Sequence, residues 1–385
     1  MAKRVLIVAG EASGDLYGAS LARELRAIHP PLHIFGMGGD RMRGEGVDLL
    51  FHIKDLSVVG ITEVILKFHR ILQAYRGLKK TLWEERPDVL VLIDFPDFNL
   101  YLARTAKKTG VPVLYYISPQ VWAWRPGRIR TIRRLVRKML VILPFEEKIY
   151  REARVEVNFI GHPLLDWVPS LDRERVRQEL GLGEGDTVIG LLPGSREEEV
   201  KRHLPLMLQS AKIILQDIPG IRFLLAKADS LKSNYIEERL ALEFLPVRVL
   251  KGLTYEVMRA SDLLLVASGT ATLEAALLEV PMVIVYRVSL LSWFLGRMMI
   301  RVPYVGLVNL VAGEELIPEL IQFQATPERV SRVALAILSD PEGLDRIRKG
   351  LSSLRTGLGS PGASRRAALE ALEMMGIQKG NPEDN

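Results

Sequence analysis

Short apolar runs of strand length alternate with longer, helix-like stretches along most of this chain. The runs fall at 4–9, 88–94, 111–117 and 139–143, then at 187–192, 221–226, 247–250, 262–267 and 281–286. Such alternation predicts parallel sheets joined by helical crossovers. Between the two series, Val168-Pro169-Ser170 interrupts the pattern and Asp172-Arg173-Glu174-Arg175 opens a charged helix, which places a domain boundary near residue 168. The expected fold class is α/β: two Rossmann-like, doubly wound domains at 1–168 and 169–345, with a ligand cleft at the carboxyl ends of both sheets. Residues 346–385 read as a C-terminal helical segment with a disordered tail from Gln378 onward.

Length agrees with two domains, because 385 residues, 48% of them hydrophobic, are too many for one ordinary core. The absence of cysteine excludes disulfides and thiolate-held zinc or iron–sulfur clusters. A formal charge of +6 favours anionic partners: nucleic acid, phosphorylated substrates or an acidic lipid surface. No zinc-finger spacing, RNP-like aromatic strand or recognition-helix motif accompanies the charge, so nucleic acid drops out. No apolar run reaches the roughly 18 to 20 residues needed to span a bilayer, since the nearest carry Lys67, His69 and Arg70, or Arg297 and Arg301. Met-Ala-Lys-Arg leads directly into a strand without the apolar region of a signal peptide, so the protein is expected to stay in the cytoplasm.

Several turns carry candidate chemistry. The first strand runs into Gly10-Glu11-Ala12-Ser13-Gly14-Asp15, small residues opening a helix, where backbone N–H groups and the dipole's positive end suit an anion or a sugar hydroxyl. The same glycines also serve a tight strand-to-helix turn with no ligand at all. Pro193-Gly194-Ser195-Arg196 follows another strand; its glycine permits close backbone approach, and Arg196 offers a planar fork for phosphate oxygens. A plain helix start capped by Ser195 accounts for the glutamates that follow but fits a cation poorly. Ser268-Gly269-Thr270 is a further small polar turn before a helix in which Glu274 can accept both hydroxyls of a ribose, or simply face solvent. Asp94 and Asp97 stand at a strand's carboxyl end, either as helix caps or with Asp97 as a general base that deprotonates an attacking hydroxyl.

The stretch 56–80 holds more apolar residues than one core-facing stripe needs, among them Val58, Val59, Val64, Ile65, Leu66, Phe68 and Leu72, with basic residues interspersed. Leu290 to Met299 is similar, and Arg125 to Arg134 is densely basic. Buried helices and a solvated charge run explain each segment singly. Together they favour an amphiphilic, anionic substrate at a membrane surface.

The motifs Gly10–Asp15, Pro96-Asp97-Phe98-Asn99, Ser118-Pro119-Gln120-Val121-Trp122-Ala123-Trp124, Gly161-His162-Pro163-Leu164, Leu192–Arg196 and Ser268–Glu274 occur in an order that resembles the lipid-A-disaccharide synthases over nearly the whole chain. One departure is Val308 before Asn309, where many members have proline. The resemblance implies a GT-B glycosyltransferase that joins UDP-2,3-diacylglucosamine to 2,3-diacylglucosamine 1-phosphate with inversion, giving a β-1,6-linked disaccharide 1-phosphate and UDP. It implies Asp97 as the base and Arg196 at the departing diphosphate. Gly194, Ser195, Ser268, Gly269 and Thr270 would donate hydrogen bonds, Glu274 would hold the ribose, and Asn309 would lie near the nucleotide. Glu11 and Ser13 would meet the sugar. No cofactor or metal is required, since helix N-termini and Arg196 can replace a metal's charge. Both substrates carry acyl chains, so peripheral attachment to the cytoplasmic face of the inner membrane is expected, as is a homodimer with exchanged C-terminal segments. The alternatives are an enzyme like UDP-N-acetylglucosamine 2-epimerase, which would not need apolar surface segments, and a non-catalytic membrane-associated nucleotide-sugar-binding protein, which would not need Asp97.

Overall fold

The structure is a computed structural model that describes residues 3–55, 61–123, 125, 127–290, 293–294 and 302–377, with backbone alone at 55 and 61–68. The chain divides into two units, Met1–Pro163 joined by Leu358–Asn385, and Leu164–Gly357.

The first unit is built on seven parallel strands: β1 (Arg4–Ala9), β2 (His33–Gly38), β3 (Asp48–His52), β4 (Val89–Ile93), β5 (Val113–Tyr116), β6 (Lys138–Val141) and β7 (Val157–Phe159). Their order is β3-β2-β1-β4-β5-β6-β7. β4 reads Val-Leu-Val-Leu-Ile and is buried throughout, as a parallel strand covered on both faces must be. The order reverses between β1 and β4, the switch point at which open α/β sheets bind ligands. Their register pairs Ala9 with Ile93, so Gly10 and Asp94 leave the sheet side by side.

The second unit repeats the plan with six parallel strands: β8 (Val188–Leu192), β9 (Arg222–Lys227), β10 (Val247–Lys251), β11 (Leu263–Ala267), β12 (Met282–Tyr286) and β13 (Glu319–Ile321). They run β10-β9-β8-β11-β12-β13. Here the reversal lies between β8 and β11, and pairing of Leu192 with Val266 brings the turns after Leu192 and after Ala267 to the same edge.

The helix Ala363–Met374 belongs to the first unit and packs on the helix Ala12–Ile28. Lys138 Nζ meets Glu370 at 2.5 Å, Asn158 Nδ2 donates to Glu370 at 2.8 Å, and the His162 N–H donates to the Leu358 carbonyl at 3.0 Å.

The strands β2, β3, β7 and β13 have no counterpart in the apolar pattern. β2 contains two glycines in six residues, β3 opens and closes on polar residues, and β7 and β13 are three residues long. In the helix Ile61–Glu84, Ala74, Leu78 and Leu82 are buried in the core and Ile71 and Tyr75 pack against it, so its second half spends its apolar residues on its own sheet. Leu72 is half-buried. Val58, Val59, Trp124 and residues 291–292 and 295–301 lie outside the described residues, as do the side chains of Val64, Ile65, Leu66 and Phe68. Among the described residues, no helix is long and apolar enough to cross a membrane.

Candidate active site

In the first unit, Glu11 is the extended residue that precedes the helix Ala12–Ile28, and its side chain makes no capping bond. Both Glu11 and Ser13 are exposed. Asp15, from the same motif, turns inward instead: its carboxylate accepts the N–H groups of Gly39 at 2.6 Å and of Arg41 and Met42 at 3.1 Å, fixing the turn after β2. Gly10 is required by packing, because a Cβ there would fall on the Phe95 ring.

The exit of β4 is strained. Asp94 and Phe95 both have left-handed backbones, φ 43° and 45°, a conformation that costs a non-glycine residue about 1–3 kcal/mol. The kink is held at the Asp94 carbonyl, which accepts Tyr115 Oη–H at 2.6 Å and Asn99 Nδ2–H at 2.7 Å. Ile117, at the end of β5, is left-handed too (φ 67°). Strain stored at adjoining strand ends is characteristic of functional sites. The Asp94 carboxyl is pushed up to about 6, by burial first and then by the charge of Glu11.

Asp97 lies three residues on, in the first turn of the helix Pro96–Thr109, with its side chain 68% exposed. Arg128 and Arg125 both donate to its Oδ1, the latter at 3.2 Å. Two guanidinium groups therefore lie against this one carboxylate oxygen. Arg125 ends the loop that begins at Ser118, and that loop is pinned from below. Trp122 Nε1–H donates to the buried carboxyl of Glu146 at 3.0 Å, and Ser118 and Tyr150 share a hydrogen bond of 2.7 Å. Burial pushes Glu146 up to about 7.

In the second unit, Gly194 (φ 124°), Ser195 and Arg196 form the turn between β8 and the helix Glu197–Asp217. Ser195 and Arg196 are exposed. The Ser195 N–H, expected to face a ligand, donates to Glu199 Oε2 at 3.2 Å. Ser268, Gly269 and Thr270 form the neighbouring turn, whose Gly269 carbonyl accepts Thr272 Oγ1–H at 2.8 Å. Gly269 and Thr270 are exposed at the start of the helix Thr270–Leu277. Glu274 lies one turn further in. Burial raises its pKa, and Tyr255 Oη–H donates to it at 3.0 Å. Composition and spacing had not singled out Tyr255, which arrives from the helix Thr254–Ala260.

Asn309 is fully buried and fully engaged. Its Nδ2 donates to the Ile317 carbonyl at 2.6 Å and to Glu319 at 2.8 Å, while its Oδ1 accepts the Ile317 N–H at 2.9 Å. Glu319 also accepts the N–H groups of Val305 and Gly306. Asn309 therefore anchors the helix Leu307–Ala312 against β13, and Val308, which departs from proline, is buried in that helix.

Each unit thus gathers its own set at its switch point: Glu11, Ser13, Asp94 and Asp97 in the first, Gly194, Ser195, Arg196, Ser268, Gly269, Thr270 and Glu274 in the second. The first set offers carboxylates over a strained strand end. The second offers two small-residue turns at helix N-termini, an arginine and a half-buried carboxyl, the parts suited to a diphosphate and a ribose.

Residues 5–372 match the family described as lipid-A-disaccharide synthetase. A lipid-A-disaccharide synthase of Syntrophus aciditrophicus (strain SB) is 50% identical over 97% of this chain and 98% of its own. Among solved structures, the UDP-GlcNAc 2-epimerase of Neisseria meningitidis bound to UDP-GlcNAc superposes with a TM-score of 0.64 at 11% identity, covering 96% of this chain and 100% of that one. The calicheamicin glycosyltransferase CalG4 gives 0.61 at 15% identity, covering 97% and 98%. At such identities these two likenesses speak to fold alone.

Proposed function

From the premise that this chain belongs to the lipid-A-disaccharide synthase family, we infer how its two sites divide the work of a UDP-sugar-dependent hexosyltransferase that forms the lipid A disaccharide. Its substrates are lipid A precursor sugars. In our reading the donor is UDP-2,3-diacylglucosamine and the acceptor 2,3-diacylglucosamine 1-phosphate. Asp97 takes the proton of the acceptor's 6-hydroxyl, the freed oxygen attacks C1 of the donor sugar, and UDP leaves from the opposite face, which inverts the anomeric centre.

The observation that carries Asp97 is its place: an exposed carboxylate in the first turn after the strained exit of β4, oriented by Arg125 and Arg128 and open to an acceptor hydroxyl. Arg196 meets the departing diphosphate, with the turns at Gly194–Ser195 and Ser268–Thr270 beside it. Glu274, oriented by Tyr255, takes the ribose. Glu11 and Ser13 receive the sugar in the first unit. Burial of Asn309 in its own hydrogen bonds supports a role in shaping the second site rather than in touching the nucleotide.

Acylated substrates must be met at a bilayer, and the basic face of the helix Arg128–Leu135, where Arg130, Arg133 and Arg134 are exposed while Ile132 is buried, supports peripheral attachment at the inner membrane's cytoplasmic face. The proposed membrane contact also takes in the 56–80 segment, apart from Ile71, Ala74, Tyr75 and Leu78, which serve the core. A homodimer is part of the same proposal.

The test is UDP release from UDP-2,3-diacylglucosamine by purified protein in detergent micelles with EDTA, with and without 2,3-diacylglucosamine 1-phosphate. Release that requires the acceptor and yields a disaccharide is expected. Release without the acceptor, or conversion of the donor alone, would overturn this reading in favour of epimerase-like chemistry.

A further inference from the structure

Arg196 stands where a helix disfavours a cation. It is the residue preceding the helix Glu197–Asp217, at the positive end of the dipole, where a like charge is unfavourable. Three glutamates follow it, and they do different things. Glu198 pairs with Lys201 along the helix at 2.9 Å. Glu197 accepts the N–H groups of Lys232 and Ser233 at 3.1 Å, together with the Ser233 hydroxyl, and so ties the loop after β9 to the helix start. Glu199 folds back over the turn itself.

Its Oε1 meets Arg196 Nη1 at 3.2 Å and its Oε2 accepts the Ser195 N–H at 3.2 Å. A Cβ added to Gly194 would fall 2.7 Å from the Glu199 side chain, so this carboxylate lies against all three residues of the turn. The far side of the turn is held independently by Ser230 Oγ, which donates to the Ser195 carbonyl at 2.7 Å. Glu199 is 33% exposed and Arg196 70%, so the guanidinium keeps its outer N–H groups open to solvent while its inner edge is fixed.

We propose that Glu199 is a positioning residue for the transfer reaction, holding the Arg196 guanidinium at the Gly194–Ser195 turn in readiness for the diphosphate of the sugar donor. This rests on the reading of Arg196 as the diphosphate's partner. Ordering a free arginine side chain costs conformational entropy, and a partner in place meets that cost before substrate arrives. A guanidinium already in place stabilises the leaving group's growing charge without rearrangement at the moment of reaction. The opposite effect of the same contacts is also physical: a carboxylate beside a phosphate site repels phosphate, and Glu199 already occupies the Ser195 N–H. The two effects have opposite signs in experiment.

The test uses the full chain and its variants Glu199→Gln, Arg196→Ala and the double variant, with kcat and KM measured for the sugar donor, UDP affinity by calorimetry and folding by thermal melt. Glu199→Gln is expected to lower kcat about tenfold, the scale of one weakened charge-assisted contact, with an unchanged melt. In the Arg196→Ala background it should cost nothing more, because the residue it positions is gone. Losses that add in the double variant would reduce Glu199 to a helix cap. Tighter UDP binding by Glu199→Gln would make it a competitor of the diphosphate. Arg196→Ala without any loss would remove Arg196 from the reaction and the inference with it, a result distinct from either of the others.

Discussion

The guanidinium of Arg128, 12% exposed, is paired with the exposed carboxylate of Asp97, 31 residues earlier in the chain. This contact joins the Pro96–Asn99 motif to the start of the helix Arg128–Leu135, and Arg125 adds the loop before that helix. Asp97→Asn keeps the shape and loses the charge. Turnover should fall by roughly 10²–10⁴-fold, the usual contribution of a general base. The melting temperature should barely move, because exposed ion pairs are worth about 0–1 kcal/mol. Steady-state kinetics and a thermal melt on the same preparation check both halves, and wild-type turnover in Asp97→Asn would remove Asp97 from the chemistry.

Asp94 makes a prediction about stability. Its carboxyl is raised from 3.8 to about 6, so the folded state binds a proton that the unfolded chain has already released across that window. The group therefore favours folding fully below pH 3.8, and this contribution is lost as pH rises through about 6. Asp94→Asn should stabilise the protein at pH 7.5 by about 1–3 kcal/mol, an advantage that fades towards pH 4. Urea unfolding at the two pH values measures it; an equal difference at both would contradict the assignment.

Tyr255→Phe removes a hydroxyl that donates to Glu274 and leaves the ring in place. A hydrogen bond to a charged group is worth about 1.5–3 kcal/mol, so UDP affinity should drop at least tenfold by calorimetry. Undiminished affinity would mean that Glu274 needs no partner or does not hold the nucleotide.

Membrane attachment should be electrostatic in part. Vesicles rich in phosphatidylglycerol should bind the protein more tightly than vesicles of phosphatidylcholine, and the difference should shrink as salt shortens the screening length below about 8 Å. Arg130→Glu with Arg134→Glu should weaken binding to the acidic vesicles by about 1 kcal/mol or more per residue. Equal sedimentation with both kinds of vesicle would argue against this face.

Much of the fold is legible along the chain because its signals are local. An unbroken apolar run such as Val89–Ile93 has little alternative to a doubly covered strand. The helix that follows announces itself by Pro96 in its first turn and Gly110, φ 76°, at its end. The strands that escape detection are short or glycine-bearing, and they are completed by neighbours: β2 takes its place from β1, with Val5 opposite Ile34. Asn309 shows the same limit in the site. Its candidacy came from the family resemblance, but its engagement by Ile317 and Glu319 depends on residues 8 and 10 positions away.

The sequence by itself determined two parallel α/β units, the turns that close their switch points and the family to which the motifs belong, since strand runs, glycine turns and motif order need nothing beyond adjacent residues. Only the tertiary structure decided the state of each acidic group: Asp94 half-buried and raised, Asp97 exposed and paired with arginines, Asp15 spent on holding a turn, Glu199 laid over Arg196. Burial and ion pairing are set by groups brought from elsewhere in the fold, as Arg125 is brought 28 residues to Asp97 and Tyr255 19 residues to Glu274, and no local pattern records those meetings.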